Sequence, residues 1–220
     1  KHLMMNPVDD GDQPQGDFDG SGNASWGEAD WASYLQRNDL EVGRFLSYYT
    51  EVKDLPDRLD ISARRMGWES ADWAPGDAED AGEDEDNADL PYCIHQHPVY
   101  VVARALGIQL IGTWRTICRA HPTEIGGELG ADLMLAFWDS QHQVVMAINA
   151  TDTGDLPLAL VHMKRALTSL NHAIGLQANL PAAVRLNSAE ATQDLEATLF
   201  DLREICLRVM ADCRWDGSKG

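Results

Sequence analysis

At 220 residues the chain is long enough for one domain of about 100–150 residues with appendages. It carries 17 basic and 36 acidic residues, a net charge of −19, so the lysines and arginines through which phosphate backbones and anionic membrane surfaces are held are outnumbered about two to one. Nucleic acid and membranes are therefore poor partners by charge, and cations and basic proteins better ones.

The acidity is concentrated at one end. Residues 1–90 hold 23 Asp or Glu against 7 Lys or Arg, and residues 91–220 hold 13 against 10. Residues 1–27, rich in Asp, Gly, Pro, Asn and Ser, predict an acidic disordered arm. No basic segment followed by an apolar one opens the chain, so no signal peptide is expected. The most apolar stretch, Val99–Ile111, is interrupted by Arg104 and Gln109, which predicts a core helix and not a membrane span. The default expectation is a soluble, cytoplasmic protein.

Within the arm, "DFDGSGNASWGE" (residues 17–28) alternates oxygen-bearing side chains. Asp17, Asp19 and Ser21 precede Gly22, which permits a sharp turn; Asn23, Ser25 and Glu28 complete the series. The spacing resembles the calcium loop of the EF-hand and dockerin families, with ligands at positions 1, 3, 5, 7, 9 and 12 and glycine at 6. The resemblance implies Ca²⁺ as cofactor, with Asn23 contributing its backbone carbonyl, Ser25 acting directly or through water, and Glu28 bidentate. Ala24 stands where the family has a branched aliphatic, and there is no second loop. Such an unpaired loop binds weakly, on the order of 10⁻⁴–10⁻³ M.

Residues 28–70 predict a short helical unit of two or three helices. "EADWASYLQR" places Trp31, Tyr34 and Leu35 on one face, and residues 39–52 continue with Leu40, Phe45, Leu46 and Tyr49. A third piece begins at Asp54 with Pro56 in its first turn. Trp26, Trp31, Trp68 and Trp73 cluster in this acidic half, as a small core or as anchors for a partner. Residues 71–90 form an acidic linker: eight of the 13 residues from Asp77 to Asp89 are acidic and none is basic, so the segment repels itself and has nothing apolar to bury.

Residues 91–214 carry the strongest periodicity, and residues 215–220 form a tail. Helices are expected over residues 97–119 and 124–150, the second with Ile125, Leu129, Leu133, Phe137, Val144 and Ile148 on one face. A third starts with Asp155 as N-cap and Pro157 in its first turn; Leu160, Met163, Leu167, Leu170 and Ile174 form its stripe. A fourth starts with Asn187 as N-cap and Glu190 three residues on, followed by Leu195, Leu199, Leu202, Cys206, Val209 and Cys213. Four amphipathic helices with short connections predict an all-α fold whose core is an antiparallel four-helix bundle. An unpaired apolar stripe on such a bundle would make it a homo-oligomer. Gly126, Gly127 and Gly130 cost helix propensity and so mark a close helix contact.

Little in this half names a chemistry. "CIHQH" offers Cys93, His95 and His97 as alternating soft ligands, but zinc needs four ligands, or three plus water, and no spacing demands that His121 or His142 complete a set. Glu-x-x-His, C-x-x-C, phosphate-loop and nucleophile-elbow motifs are all missing. "RTICRAH" sets Arg115 six residues before His121, similar in spacing to the Arg–His motif of HEPN ribonucleases, which are helical bundles. That resemblance implies phosphate binding by Arg115 and proton transfer by His121. The leading expectation is a non-enzymatic binding or scaffold protein with one weak calcium site and a protein partner, a basic one by charge. The alternative is a HEPN-like ribonuclease using Arg115 and His121.

Overall fold

The computed structural model describes residues 26–68 and 93–217. Every regular element among them is helical: α1 (Glu28–Glu51), α2 (Arg58–Arg65), a 3₁₀ turn (Ile94–Gln96), α3 (Pro98–Ala120), α4 (Gly127–Asp152), α5 (Leu156–Ala178), α6 (Ala182–Asn187) and α7 (Ala189–Gly217). None is long and apolar enough to cross a membrane. The acidic arm before Trp26, the linker and the last three residues lie outside the described residues.

The segment expected as two or three short helices begins with one 24-residue helix. Its inner face is Tyr34, Asn38, Val42, Phe45 and Tyr49, an unbroken helical stripe that runs through the expected interruption. Asn38 does not break it because its side chain is spent elsewhere, donating to the His95 carbonyl at 2.6 Å. At the N-terminus the Asp30 carboxylate accepts the Gly27 amide proton at 2.9 Å. Helix α2 starts after Asp57, later than Asp54 and Pro56 suggested, because residues 52–57 are spent on turns. It ends at Arg65, and two residues on Gly67 has a φ of 85°, where glycine is free of strain. The Trp68 amide then closes back on the Ala63 carbonyl, and the Trp68 ring stacks on Phe45 at 5.8 Å.

Helix α3 opens with Pro98 behind His97, whose Nδ1 accepts from the Val99 amide. Asp155 caps α5 as expected, accepting from the Leu158 amide at 3.0 Å. Two boundaries are corrected. Helix α4 starts at Gly127 instead of Glu124, since residues 122–125 form a turn in which Ile125 already reaches the core. Asn187 is the last residue of a short helix, α6, started by Pro181, and not the cap of the fourth long helix. The Ser188 carbonyl instead accepts from the Thr192 amide at the start of α7.

Helix α4 packs on α5, α5 on α7, α7 on α3 and α3 on α4, while α1 lies on α3 and α2 on α1. One continuous core joins all of them. Every apolar residue of the α7 stripe is buried. The α5 stripe is rotated by about one position: Ala159, Met163, Ala166, Leu170 and Ala173 lie deepest, with Leu160, Leu167 and Ile174 partly buried beside them. Alanine suits that line because α5 is wedged between α4 and α7. Among the described glycines the tightest surroundings are at Gly107 of α3, where an added Cβ would sit 3.0 Å from the Phe137 ring. At Gly126 and Gly127 there is open space, while the Gly130 carbonyl receives the Trp114 indole N–H at 3.4 Å.

Candidate functional site

Of the calcium-loop residues, Asp17, Asp19, Ser21, Asn23 and Ser25 lie outside the described residues. Glu28 is described, exposed as the first residue of α1. Among the described residues, no three His, Cys, Asp or Glu side chains gather to hold a metal ion.

Arg115 and His121 are placed differently from each other. Six positions turn a helix by about 600°, so the two leave α3 on different faces. Arg115 is exposed, whereas His121 is buried at the C-cap with Nε2 2.9 Å from the Ser188 hydroxyl.

"CIHQH" divides between two tasks. His97 is buried as the N-cap of α3, and burial pushes its pKa down to about 4. Cys93 and His95 turn toward each other, Sγ to Nδ1 at 3.0 Å. The His95 ring stands edge-on between Tyr34 at 5.9 Å and Tyr100 at 5.0 Å. Tyr34 continues the row to Trp31 and Trp26, whose rings are 4.8 Å apart. An aromatic ladder thus crosses from α1 to the start of α3. Its outer end is open: Trp31 and Leu35, one turn apart on α1, are 40% and 43% exposed. Exposed Glu28, Asp30 and Asp39 lie on the same helix.

The other polar groups that converge are far from this ladder in sequence. Arg58 of α2 forms a bidentate pair with Asp201 of α7, Nε to Oδ2 at 2.6 Å and Nη2 to Oδ1 at 2.8 Å. The Tyr49 hydroxyl donates to the same carboxylate. Burial, then the Asp201 charge, push the Tyr49 phenol well above its usual range. Arg208 pairs with Asp60, and its hydrogen bonds hold the Asp60 carboxyl below its usual range. Lys53 reaches Asp194 at 3.2 Å. Each of these bonds ties the α1–α2 segment to α7. The depression lined by Gln109, Gly112, Thr113, Thr116, Glu190 and Asp194 is shallow and open. Sequence reading missed this clamp, because nothing local links residue 58 to residue 201.

The chain matches no protein-family model, no curated protein and no solved structure.

Proposed function

We propose that the chain is a non-enzymatic binding or scaffold module, built on an antiparallel four-helix bundle of α3, α4, α5 and α7, that docks a basic protein partner through the first turns of α1. The reading rests on one observation: Trp31 and Leu35 stand exposed one turn apart on a helix carrying exposed Glu28, Asp30 and Asp39. Aromatic side chains ringed by charge are the anchors around which interfaces concentrate their affinity, and an acidic rim speeds encounter with a basic surface. The chain's net charge of −19 acts in the same direction. The clamp residues support this reading too, since they serve cohesion between helices and leave the ladder's outer end uncommitted.

Calcium belongs to the same proposal. A Ca²⁺ ion held by Asp17, Asp19, Ser21, Asn23, Ser25 and Glu28 would order the arm against the start of α1, beside the proposed anchor. Trp26, packed on Trp31, is the reporter. A saturable change in tryptophan fluorescence below about 1 mM calcium, lost in both Asp17→Ala and Glu28→Ala, is expected. No change up to several times that concentration would remove calcium from the proposal.

The docking reading is tested by immobilising the intact chain and its Trp31→Ala/Leu35→Ala variant against the same protein mixture. A basic protein held at low salt, released at high salt and not held by the variant supports it; equal retention by the variant overturns it. RNA incubated in parallel addresses the HEPN-like alternative. Cleavage that vanishes in a folded His121→Ala variant would replace the binding reading by that one.

A further inference from the structure

The Cys93–His95 pair plays no part in the docking proposal. Four cysteines are free in this structure, and they differ in setting. Cys206 and Cys213 are buried in the α7 stripe, and burial pushes the Cys206 thiol up to about 12. Cys118 is half-buried, and burial raises its thiol as well. Cys93 is also partly buried, but it has an imidazole nitrogen 3.0 Å from its sulfur. A nucleophile within hydrogen-bond reach of a base that is itself held in place is the arrangement that activates a thiol.

His95 is held in place. Tyr34 and Tyr100 pin its ring edge-on at 74° and 82°, and Asn38 anchors its carbonyl to α1. Partial burial lowers its pKa, against the opposing charge of Asp39. With the proton on Nε2, Nδ1 is free to accept the thiol hydrogen.

We propose that Cys93 is a modification site, a thiol that His95 activates for exchange with small-molecule disulfides. The Cys93 Sγ–H bond breaks as its proton moves to His95 Nδ1, and Sγ attacks one sulfur of the disulfide RS–SR′. A new Sγ–SR bond forms as the old S–S bond breaks, R′S⁻ leaves, and it takes up the proton directly or through solvent. Cys93 is oxidised to a mixed disulfide, and the other half of the reagent is reduced to a thiol. The attached group then stands at the foot of α3, beside the contact by which Asn38 joins α1 to the 3₁₀ turn.

The test exposes the intact, reduced chain to oxidised glutathione in low molar excess. The site and rate of each adduct are then read by intact mass and peptide mapping. In the wild type, Cys93 is expected to carry the first adduct, about a hundredfold faster than Cys118, the low end of what a positioned base confers. His95→Gln and His95→Asn are expected to remove that advantage while leaving the Cys118 rate unchanged. Cys118, Cys206 and Cys213 also monitor folding, since an unfolded variant would expose all of them. A first adduct on another cysteine overturns the proposal, as does a Cys93 rate unaltered in both folded variants. Should neither His95 variant fold, a wild-type Cys93 rate no higher than that of Cys118 still overturns the proposal.

Discussion

Asp201→Ala is expected to loosen the α1–α2 segment from α7 and to cost more stability than any exposed ion pair could. Asp201 and Arg58 have side chains only 12% and 17% exposed, so solvent screens them little. Removing the carboxylate strands the Arg58 guanidinium and leaves the Tyr49 hydroxyl without its acceptor. Breaking a buried pair from one side costs about 3–5 kcal/mol. The lower figure applies, because Arg58 keeps a 3.2 Å contact with the Tyr49 oxygen and a 3.5 Å one with the Ala197 carbonyl. At roughly 2–4 °C per kcal/mol for a chain of this length, a loss of about 3 kcal/mol lowers Tm by about 6–12 °C. Removing the whole group behaves differently. Arg58→Met with Asp201→Leu and Tyr49→Phe leaves no charge or hydroxyl stranded and should fall within about 1 kcal/mol of the wild type, since apolar replacement of a buried pair is often neutral. Urea unfolding measures both. Hydrogen exchange locates the effect: in Asp201→Ala, amides of α1 and α2 should exchange faster while those between α4 and α5 keep their protection. A single-variant loss below about 1 kcal/mol would mean the pair is effectively solvated and would refute the clamp.

Two pH effects follow from burial. The unfolded His97 imidazole titrates near 6.5, whereas the buried one holds out to about 4. The unfolded chain therefore takes up a proton that the native chain refuses. Stability falls as pH drops through that window, by up to about 1.4 kcal/mol per unit; in urea series, His97→Asn, which keeps a capping acceptor, should show a shallower fall. The raised Tyr49 phenol has the opposite sense, stabilising below the unfolded value of 10.0 and losing that contribution as pH rises above it; Tyr49→Phe should flatten the alkaline limb. Gly43, Gly112 and Gly175 lie inside helices with open space where a Cβ would stand, so alanine at each should raise stability by about 0.5–1 kcal/mol. Gly107→Ala should gain less or lose, its methyl meeting the Phe137 ring at 3.0 Å; thermal melts of the four variants separate the cases.

What the sequence made legible was whatever depends on neighbours a turn or two away. The α7 stripe and the Asp155 cap could be read because a helix repeats its buried face every three or four residues, and a cap needs only an acceptor at the right offset. Residues 28–70 hold two helices, within the two or three expected, but that the first runs unbroken to Glu51 was not legible, because the partner of Asn38, the His95 carbonyl, lies 57 residues on. The α5 stripe was drawn through the larger residues only, whereas the buried line of this wedged helix alternates Ala159, Ala166 and Ala173 with Met163 and Leu170. The same limit applied to the candidate sites. Arg58 and Asp201 are 143 residues apart, and no spacing rule joins them. Cys93 and His95 were visible as letters, yet alternation in "CIHQH" fits ligands for a metal as well as it fits a thiol beside a base. The choice between those two turned on His97, which spends its Nδ1 on the Val99 amide at the start of α3. With that nitrogen committed, Cys93 and His95 stand as a pair, and two side chains fall short of the four ligands, or three plus water, that a zinc site needs.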